Sequence, residues 1–147
     1  MPQRNSWTMV VLAVASLALS GCTKASVEVA REEPAKIERV EGTNLKRLIL
    51  SKSAVKRLDI QTALVHDQTA PGGAARKVIP YAAVIYDPTG DTWTYTNPTA
   101  RTFLRHRIQV DDIEGDLAVL SDGPPSGTPV VTVGAAELFG IEFEVGH

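Results

Sequence analysis

The chain has 147 residues, and its 15 Lys and Arg side chains against 17 Asp and Glu side chains leave a formal net charge of −2. This near balance provides no basic field that would attract nucleic acid, so we expect no nucleic-acid partner. Cys22 is the single cysteine, which excludes a disulfide framework within the chain.

The first 22 residues have the pattern of a secretory signal peptide. Arg4 supplies a positive start, an apolar run extends from Trp7 to Leu19, and Ser20 and Gly21 lead into Cys22. The run of about 13 residues is shorter than the roughly 20 that a membrane-spanning helix needs. Leu19-Ser20-Gly21-Cys22 resembles the lipobox of bacterial lipoproteins, in which the cysteine is lipidated on sulfur and becomes the new N-terminus after cleavage. The alternatives are an uncleaved membrane anchor and an ordinary secreted protein in which Cys22 is incidental.

The leader divides the chain into three parts. Residues 1–21 are predicted to be the lipoprotein signal peptide, residues 22–36 a polar, lipidated tether, and residues 37–147 one folded domain. Several acyl chains on one cysteine would anchor the protein stably, where a single chain is marginal. We therefore expect an extracytoplasmic protein held to the membrane by lipid on Cys22.

The domain is predicted to begin with two short strands, at residues 37–40 and 45–50, and a helix over residues 52–58. Ser51 is the predicted N-cap of this helix, because its hydroxyl can accept a hydrogen bond from an orphan backbone N–H. Asp59 is expected to close the helix in the left-handed conformation, which Asp tolerates better than most side chains do. Another strand is predicted at residues 60–65.

The remaining residues are predicted to form a loop and then β-structure. Residues 66–75 contain Pro71-Gly72-Gly73 and are expected to form an exposed loop. Turn signals occur at residues 87–91, 97–98, 111–116 and 122–125. Strands are predicted at residues 77–79, 81–86, 92–96, 102–110, 117–120 and 130–133. Short strands with such turns predict a mainly β fold, a small antiparallel β-sheet or β-roll domain with one short helix.

Alternation of side chains indicates two distinct faces on the central strands. Trp93 and Tyr95 share one face of residues 92–96, and three threonines occupy the other. On the strand at residues 102–110, one face carries Phe103, Arg105, Arg107 and Gln109. The other face carries Leu104, His106, Ile108 and Val110.

The sequence contains no recognisable catalytic or metal-binding set. His66, His106 and His147 are dispersed without ligand spacing, so we expect no zinc site. The acidic residues at 111–116 lack the layout of a calcium loop and are predicted to form a solvated turn. Because the motifs of common catalytic sites are also missing, we expect neither a cofactor nor enzymatic activity.

Two segments resemble one known family. Residues 79–84, Ile-Pro-Tyr-Ala-Ala-Val, open a region similar to the C-terminal part of the periplasmic adaptor subunits of efflux pumps, also called membrane fusion proteins. The similarity continues through Gly90, Trp93-Thr94-Tyr95, residues 103–110, Gly115-Asp116 and residues 127–138. Residues 50–63 resemble a segment near the start of heavy-metal-type adaptors of resistance–nodulation–division (RND) pumps, with Asp59 in place of a glycine.

In that family the two segments build one unit, the membrane-proximal domain, although barrel, lipoyl and hairpin domains lie between them in sequence. Here only residues 66–75 separate them, so the resemblance implies a membrane-proximal domain alone. It also implies an RND-type transporter as partner and export as the process. The alternatives are a stand-alone lipoprotein that binds a small ligand or a metal ion, and a degenerate adaptor without a transport role. The sequence assigns neither the partner-facing residues nor the oligomeric state.

Overall fold

The computed structural model describes residues 33–144, and they form a mainly antiparallel β structure. The predicted fold class is therefore confirmed. The predicted lipobox residues Leu19, Ser20, Gly21 and Cys22 lie outside the described residues. Within the described part, no helix is long and apolar enough to cross a membrane.

Ten strands, two α-helices and one 3₁₀ turn make up the described part of the chain. The first five strands are β1 (Ala35–Arg39), β2 (Lys46–Leu50), β3 (Gln61–Leu64), β4 (His66–Thr69) and β5 (Ala75–Pro80). The other five are β6 (Ile85–Tyr86), β7 (Thr92–Thr99), β8 (Thr102–Glu114), β9 (Leu117–Asp122) and β10 (Pro129–Val133). The helices are α1 (Lys52–Arg57) and α2 (Ala135–Phe143), and the 3₁₀ turn is Tyr81–Ala83.

The main sheet closes almost completely on itself. Its strand order is β3-β10-β7-β8-β9-β5-β4, so the two strands at the ends of this order are consecutive in the chain. Val65 alone joins β3 to β4, and its N–H donates to the Thr128 carbonyl at 2.9 Å. One bent stretch of chain therefore pairs with β10 on one side and with β5 on the other. Closure of this kind protects strands that would otherwise be exposed edges.

The hairpin of β1 and β2 extends the sheet away from the barrel. β8 is 13 residues long, which lets its first half pair with β2 and its second half with β9. The sheet consequently branches at β8 into the barrel on one side and the β1–β2 hairpin on the other.

Two hydrophobic cores lie on opposite faces of the central strands. One core lies between the sheet and the two helices; its buried residues are Leu48, Leu50, Ala54, Tyr95, Phe103, Val131, Ala135 and Leu138. The other core fills the barrel; its buried residues are Val65, Ile79, Ala83, Ile108, Ala118, Leu120 and Val130. Neighbouring residues Val130 and Val131 serve different cores, as the two-residue period of a strand requires. The predicted faces of the central strands are therefore confirmed.

The predictions for α1 are also confirmed. The Ser51 Oγ accepts a hydrogen bond from the Ala54 N–H at 3.0 Å, as expected of an N-cap. Asp59 has a φ of 48°, the left-handed conformation that ends the helix. The first strand begins at Ala35, two residues earlier than the predicted start of the domain.

Three local predictions were wrong. The segment at residues 66–75 is not a loop, because β4 and the start of β5 pair as a hairpin and only residues 70–74 turn. The predicted strand at residues 81–86 begins instead as the 3₁₀ turn, in which the Val84 N–H donates to the Tyr81 carbonyl at 2.9 Å. The predicted turn at residues 111–116 is confined to Gly115 and Asp116, because β8 continues to Glu114 by pairing with β9.

Two further differences from the sequence prediction are the longer strand β7 and the helix α2. β7 passes through the predicted turn at residues 97–98 and reaches Thr99, with an irregularity in its pairing with β8. The sequence prediction also missed α2, which follows β10 directly. In β7, pairing with β8 overrides the local turn signal at residues 97–98, whereas α2 begins after a glycine that has no capping side chain.

Candidate docking surface

An apolar groove of about 310 Å³ lies between the 3₁₀ turn, β6 and α2. The residues that line it are almost all apolar: Ala82, Val84, Ile85, Tyr86, Ala135, Ala136 and Phe139. Ala82 of the 3₁₀ turn and Ala136 of α2 are exposed on the two opposing walls of the groove. Ala135, the first residue of α2, is buried. The groove is therefore floored by the helix-side core and open to solvent.

Local backbone features position both walls of the groove. Pro80 ends β5, and the following 3₁₀ turn is fixed by the Tyr81 N–H, which donates to the Asp116 carbonyl at 2.7 Å. On the other wall, Gly134 has a φ of 88°, a left-handed conformation that a side chain would strain. A Cβ built on Gly134 would also lie 2.2 Å from the Ile60 Cδ1. Glycine at this position therefore lets the chain leave β10 and begin α2 against Ile60.

Two tyrosines add exposed aromatic surface beside the groove. Tyr81 is 43% exposed and Tyr86 is 54% exposed. The pKa of Tyr86 is raised above its ordinary value, chiefly by a side-chain hydrogen bond between Tyr86 and Tyr81, so the two hydroxyl groups are neighbours. Exposed aromatic side chains next to an apolar groove are typical of a surface that binds a partner.

A buried polar network holds α2 against the sheet. Glu142 on α2 is 1% exposed, and its Oε2 accepts a hydrogen bond from the Tyr95 hydroxyl at 2.5 Å. Its Oε1 lies 3.3 Å from the Arg105 Nε, within ion-pair distance. Burial and the hydrogen bond to Glu142 both raise the pKa of Tyr95, so its hydroxyl remains a neutral donor. The carboxylate thus has two partners on two strands of the sheet.

Aromatic rings flank the Arg105 side chain. Its guanidinium carbon lies 4.0 Å from the Trp93 ring centroid and 4.9 Å from that of Phe143. The Lys46 Nζ adds a hydrogen bond to the Glu142 backbone carbonyl at 2.7 Å. Because this carbonyl lies in the last turn of α2, the lysine satisfies a group that the helix itself leaves unpaired.

The turn before β7 is tied to the same face through Trp93, whose Nε1 donates to the Asp87 Oδ2 at 3.0 Å. Hydrogen bonds from Thr89, Trp93 and the backbone N–H of Asp91 lower the pKa of Asp87 to about 2. Arg107, which packs near Trp93, forms an ion pair with Asp91. The turn is therefore linked through Trp93 to the face of the sheet that carries Arg105.

The residues singled out in the sequence do not come together into a site. His66 and His106 are exposed on β4 and β8, and His147 lies outside the described residues. The acidic residues at 111–116 are also exposed, and one of them, Glu114, pairs with Arg76 at 3.1 Å. Across residues 33–144, no group of three or more His, Cys, Asp or Glu side chains is arranged to hold a metal ion.

Only part of the groove and of the network could be predicted from the sequence. The alternation of side chains along residues 102–110 correctly placed Arg105 on the same face as Phe103. Arg105 is therefore a charged side chain on the face of β8 that packs against the helix-side core. Glu142 and the groove were missed because both depend on α2. A helical interpretation of residues 135–143 would have been the signal, since Ala135, Leu138 and Glu142 follow the spacing of one helix face.

Comparison with known proteins identifies no relative: no family model matches the sequence, and no match was found among curated proteins or solved structures.

Proposed function

We propose that this protein is a lipid-anchored, extracytoplasmic accessory subunit of an RND-type efflux transporter. Lipid on Cys22 holds the chain at the membrane, the residues between Cys22 and the start of β1 at Ala35 form the tether, and the β domain docks on the extracytoplasmic part of the transporter. The proposal combines the lipobox-like leader with the resemblance of residues 50–63 and 79–138 to efflux adaptors.

The observation that supports it best is how these two segments assemble. The first segment contributes α1 and β3, and the second contributes the last two residues of β5 and all of β6 through β10. β3 pairs with β10, and Ala54 of α1 lies in the same core as Val131 and Leu138. The two segments thus form one unit, which is what the resemblance implies. The β4–β5 hairpin occupies the place where the adaptors carry their additional domains.

The apolar groove is the surface that we assign to the transporter. It combines small side chains at its mouth with aromatic rings at its rim, which suits an apolar projection from a protein partner. Two further grooves on the described part of the chain include charged and polar side chains in their linings. One is lined by Arg39, Thr43, Asn44, Leu45 and Lys46. The other is lined by Glu33, Lys36, Ile49, Leu50, Ser51 and Arg101.

The test is crosslinking in native membranes of the host, followed by purification through a C-terminal tag and mass spectrometry. We expect an RND-type transporter subunit to copurify and the peptide that contains Cys22 to carry acyl chains. Recovery of the lipidated protein without any transporter subunit would contradict the proposal.

Variants of the groove make this test specific. Ala82→Arg and Ala136→Arg place a long charged side chain at the mouth of the groove from its two walls, and each is expected to reduce copurification at least about tenfold. Glu137→Arg is the matched control, because Glu137 is an exposed neighbour on α2 that does not line the groove. Equal losses in all three variants would argue against the groove as the docking surface.

The second candidate is a stand-alone lipoprotein that binds a small apolar ligand. The groove favours it, because a volume of about 310 Å³ is at the lower end of the range for small-molecule sites. A ligand that binds only the folded protein raises the unfolding temperature, and Ala136→Arg should abolish this increase. Such a shift in a protein that recovers no transporter would favour this function over the first.

A further inference from the structure

We propose that the exposed face of α1, together with Arg101, is a docking surface for negatively charged phospholipid headgroups. This basic face comprises Lys52, Lys56, Arg57 and Arg101. The inference rests on the proposed lipid anchor at Cys22, but it concerns the orientation of the domain on the membrane and not the transporter.

Three of the four basic residues share the outward side of α1. Lys52 and Lys56 are four residues apart and so lie one above the other, and Arg57 lies about 100° further round the helix from Lys56. All three are exposed, whereas Ala54 on the opposite side is buried in the core. None of the three forms an ion pair with another described residue. Their charges therefore face solvent.

Arg101 joins this face through the β7–β8 turn. The Leu50 N–H donates to the Arg101 carbonyl at 2.9 Å, one residue before the N-cap of α1. Arg101 is exposed, and its Nη1 is 3.5 Å from the Leu50 carbonyl. The arginine thus lies where β2 ends and α1 begins.

The tether enters the domain at this same end. The Ser51 N–H donates to the Pro34 carbonyl at 2.9 Å, so the first described residues lie against the N-cap of α1. Ten residues, 23–32, lie between Cys22 and Glu33, and the 11 Cα–Cα steps across them span at most about 40 Å when fully extended. A lipid on Cys22 therefore keeps the basic face close to the membrane, where its effective concentration is high.

The local charge remains positive when the acidic neighbours are included. Among residues 33–144, Glu33 and Asp59 are the acidic residues next to this face in the structure or the sequence, and Asp59 accepts a hydrogen bond from Gln61. Lys36 is also at this end, but its charge is engaged by Glu38 at 2.8 Å. Four unpaired cations against two carboxylates favour an anionic surface, because each basic side chain near such a surface strengthens binding about fivefold.

The test uses the lipidated protein in vesicles of phosphatidylglycerol or of phosphatidylcholine. Acylation of lysine amines, read by mass spectrometry, reports the exposure of Lys52 and Lys56, and Lys77 on β5 is the internal reference. We expect Lys52 and Lys56 to react more slowly in phosphatidylglycerol vesicles than in phosphatidylcholine vesicles. High salt should remove the difference, because it screens the attraction.

Variants of the arginines keep both lysine reporters in place. Arg57→Gln together with Arg101→Gln is expected to lower the ratio of docked to undocked protein about 25-fold. Arg57→Gln alone should lower this ratio about fivefold, and it leaves Arg101, whose φ of 62° is a left-handed conformation, unchanged. Arg39→Gln is the matched control, since Arg39 is exposed at the opposite end of β1 from Pro34.

Equal reaction of the lysines in the two vesicle types would overturn the proposed surface, as would equal effects of Arg39→Gln and Arg57→Gln. Protection that requires the transporter and is missing in vesicles would assign the basic face to a protein partner instead. None of these outcomes in vesicles bears on whether a transporter copurifies, so the proposed function is tested separately. Absence of acyl chains on Cys22, by contrast, would overturn the anchor and this surface together.

Discussion

Glu142 is a buried charged residue whose partners come from two strands of the sheet. Tyr95 donates to one carboxylate oxygen and Arg105 lies beside the other. Arg105 is 8% exposed, so removal of the carboxylate would leave a mostly buried cation without its counter-ion. The cost of an uncompensated buried charge is what makes this contact important for stability.

We predict that Glu142→Ala lowers the free energy of unfolding by about 3–5 kcal/mol, the range for a buried ion pair that loses one partner. Glu142→Gln should cost less, because its side-chain oxygen can still accept the Tyr95 hydrogen bond. Urea unfolding of both variants measures the difference. The reverse order, with Glu142→Gln less stable than Glu142→Ala, would contradict this account of the network.

Asp87 gives the domain an acid-sensitive contact. Its folded-state pKa of about 2 is below the ordinary value of 3.8, because hydrogen bonds stabilise the charged carboxylate. A lowered pKa contributes stability above the unfolded-state value, and this contribution is lost as the pH falls through the folded-state value. The contribution of Asp87 is therefore complete above about pH 4 and lost toward about pH 2.

We predict that the difference in unfolding free energy between the wild type and Asp87→Asn decreases as the pH is lowered through this window. Trp93 provides the signal, because its indole N–H contacts Asp87 and the only other tryptophan, Trp7, precedes Cys22. Urea unfolding followed by tryptophan fluorescence at several pH values measures the difference. A constant difference at every pH would show that Asp87 does not supply this dependence.

At the scale of elements, Gly134 joins β10 to α2. Its positive φ alone would cost a substituted residue about 1–3 kcal/mol. The Ile60 Cδ1 occupies the space that a Cβ would need, and moving the Ile60 side chain adds a second cost because it packs against the helix-side core. The packing of α2, and with it one wall of the groove, depends on this glycine.

We predict that Gly134→Ala destabilises the domain by more than the strain alone. Gly127→Ala is the matched control, because Gly127 has a similar φ of 84° and no atom within 4 Å of a built Cβ. Thermal unfolding of the two variants separates the backbone strain from the contact with Ile60. Equal losses of stability would mean that the surroundings of Gly134 relax without cost.

The sequence specified an element well where local chemistry was sufficient to define it. α1 was predicted correctly because Ser51 supplies its own cap and Asp59 tolerates the left-handed ending. β4 was missed because its four residues, His66–Thr69, are polar and become a strand only through pairing with β5. α2 was missed because its preceding residue carries no capping side chain, so its start depends on backbone conformation and on packing against Ile60.

At the scale of the whole domain, the two cores share β7, β8 and β10. Tyr95 and Phe103 bury their side chains on the helix side, and Ile108 buries its side chain inside the barrel. Because the same strands form a wall of both cores, one core cannot lose its packing without disturbing the other. We therefore expect residues 33–144 to unfold in one cooperative transition.

We predict that Ile79→Ala, a change inside the barrel, lowers the unfolding free energy by about 2–5 kcal/mol. Trp93 lies on the opposite face of the sheet, yet its fluorescence should report the same shifted midpoint as far-ultraviolet circular dichroism. Separate midpoints for the two signals would show that the barrel and the helix-side core unfold independently.

The sequence alone determined the mainly β fold class, the assignment of side chains to the two faces of β7 and β8, and the capped helix α1. These features follow from periodicity and from hydrogen bonds between residues close in the chain. Only the tertiary structure decided the closure of the barrel through Val65, the groove beside α2 and the burial of Glu142. Each of these depends on contacts between residues far apart in the sequence, and local patterns do not encode which distant elements will meet.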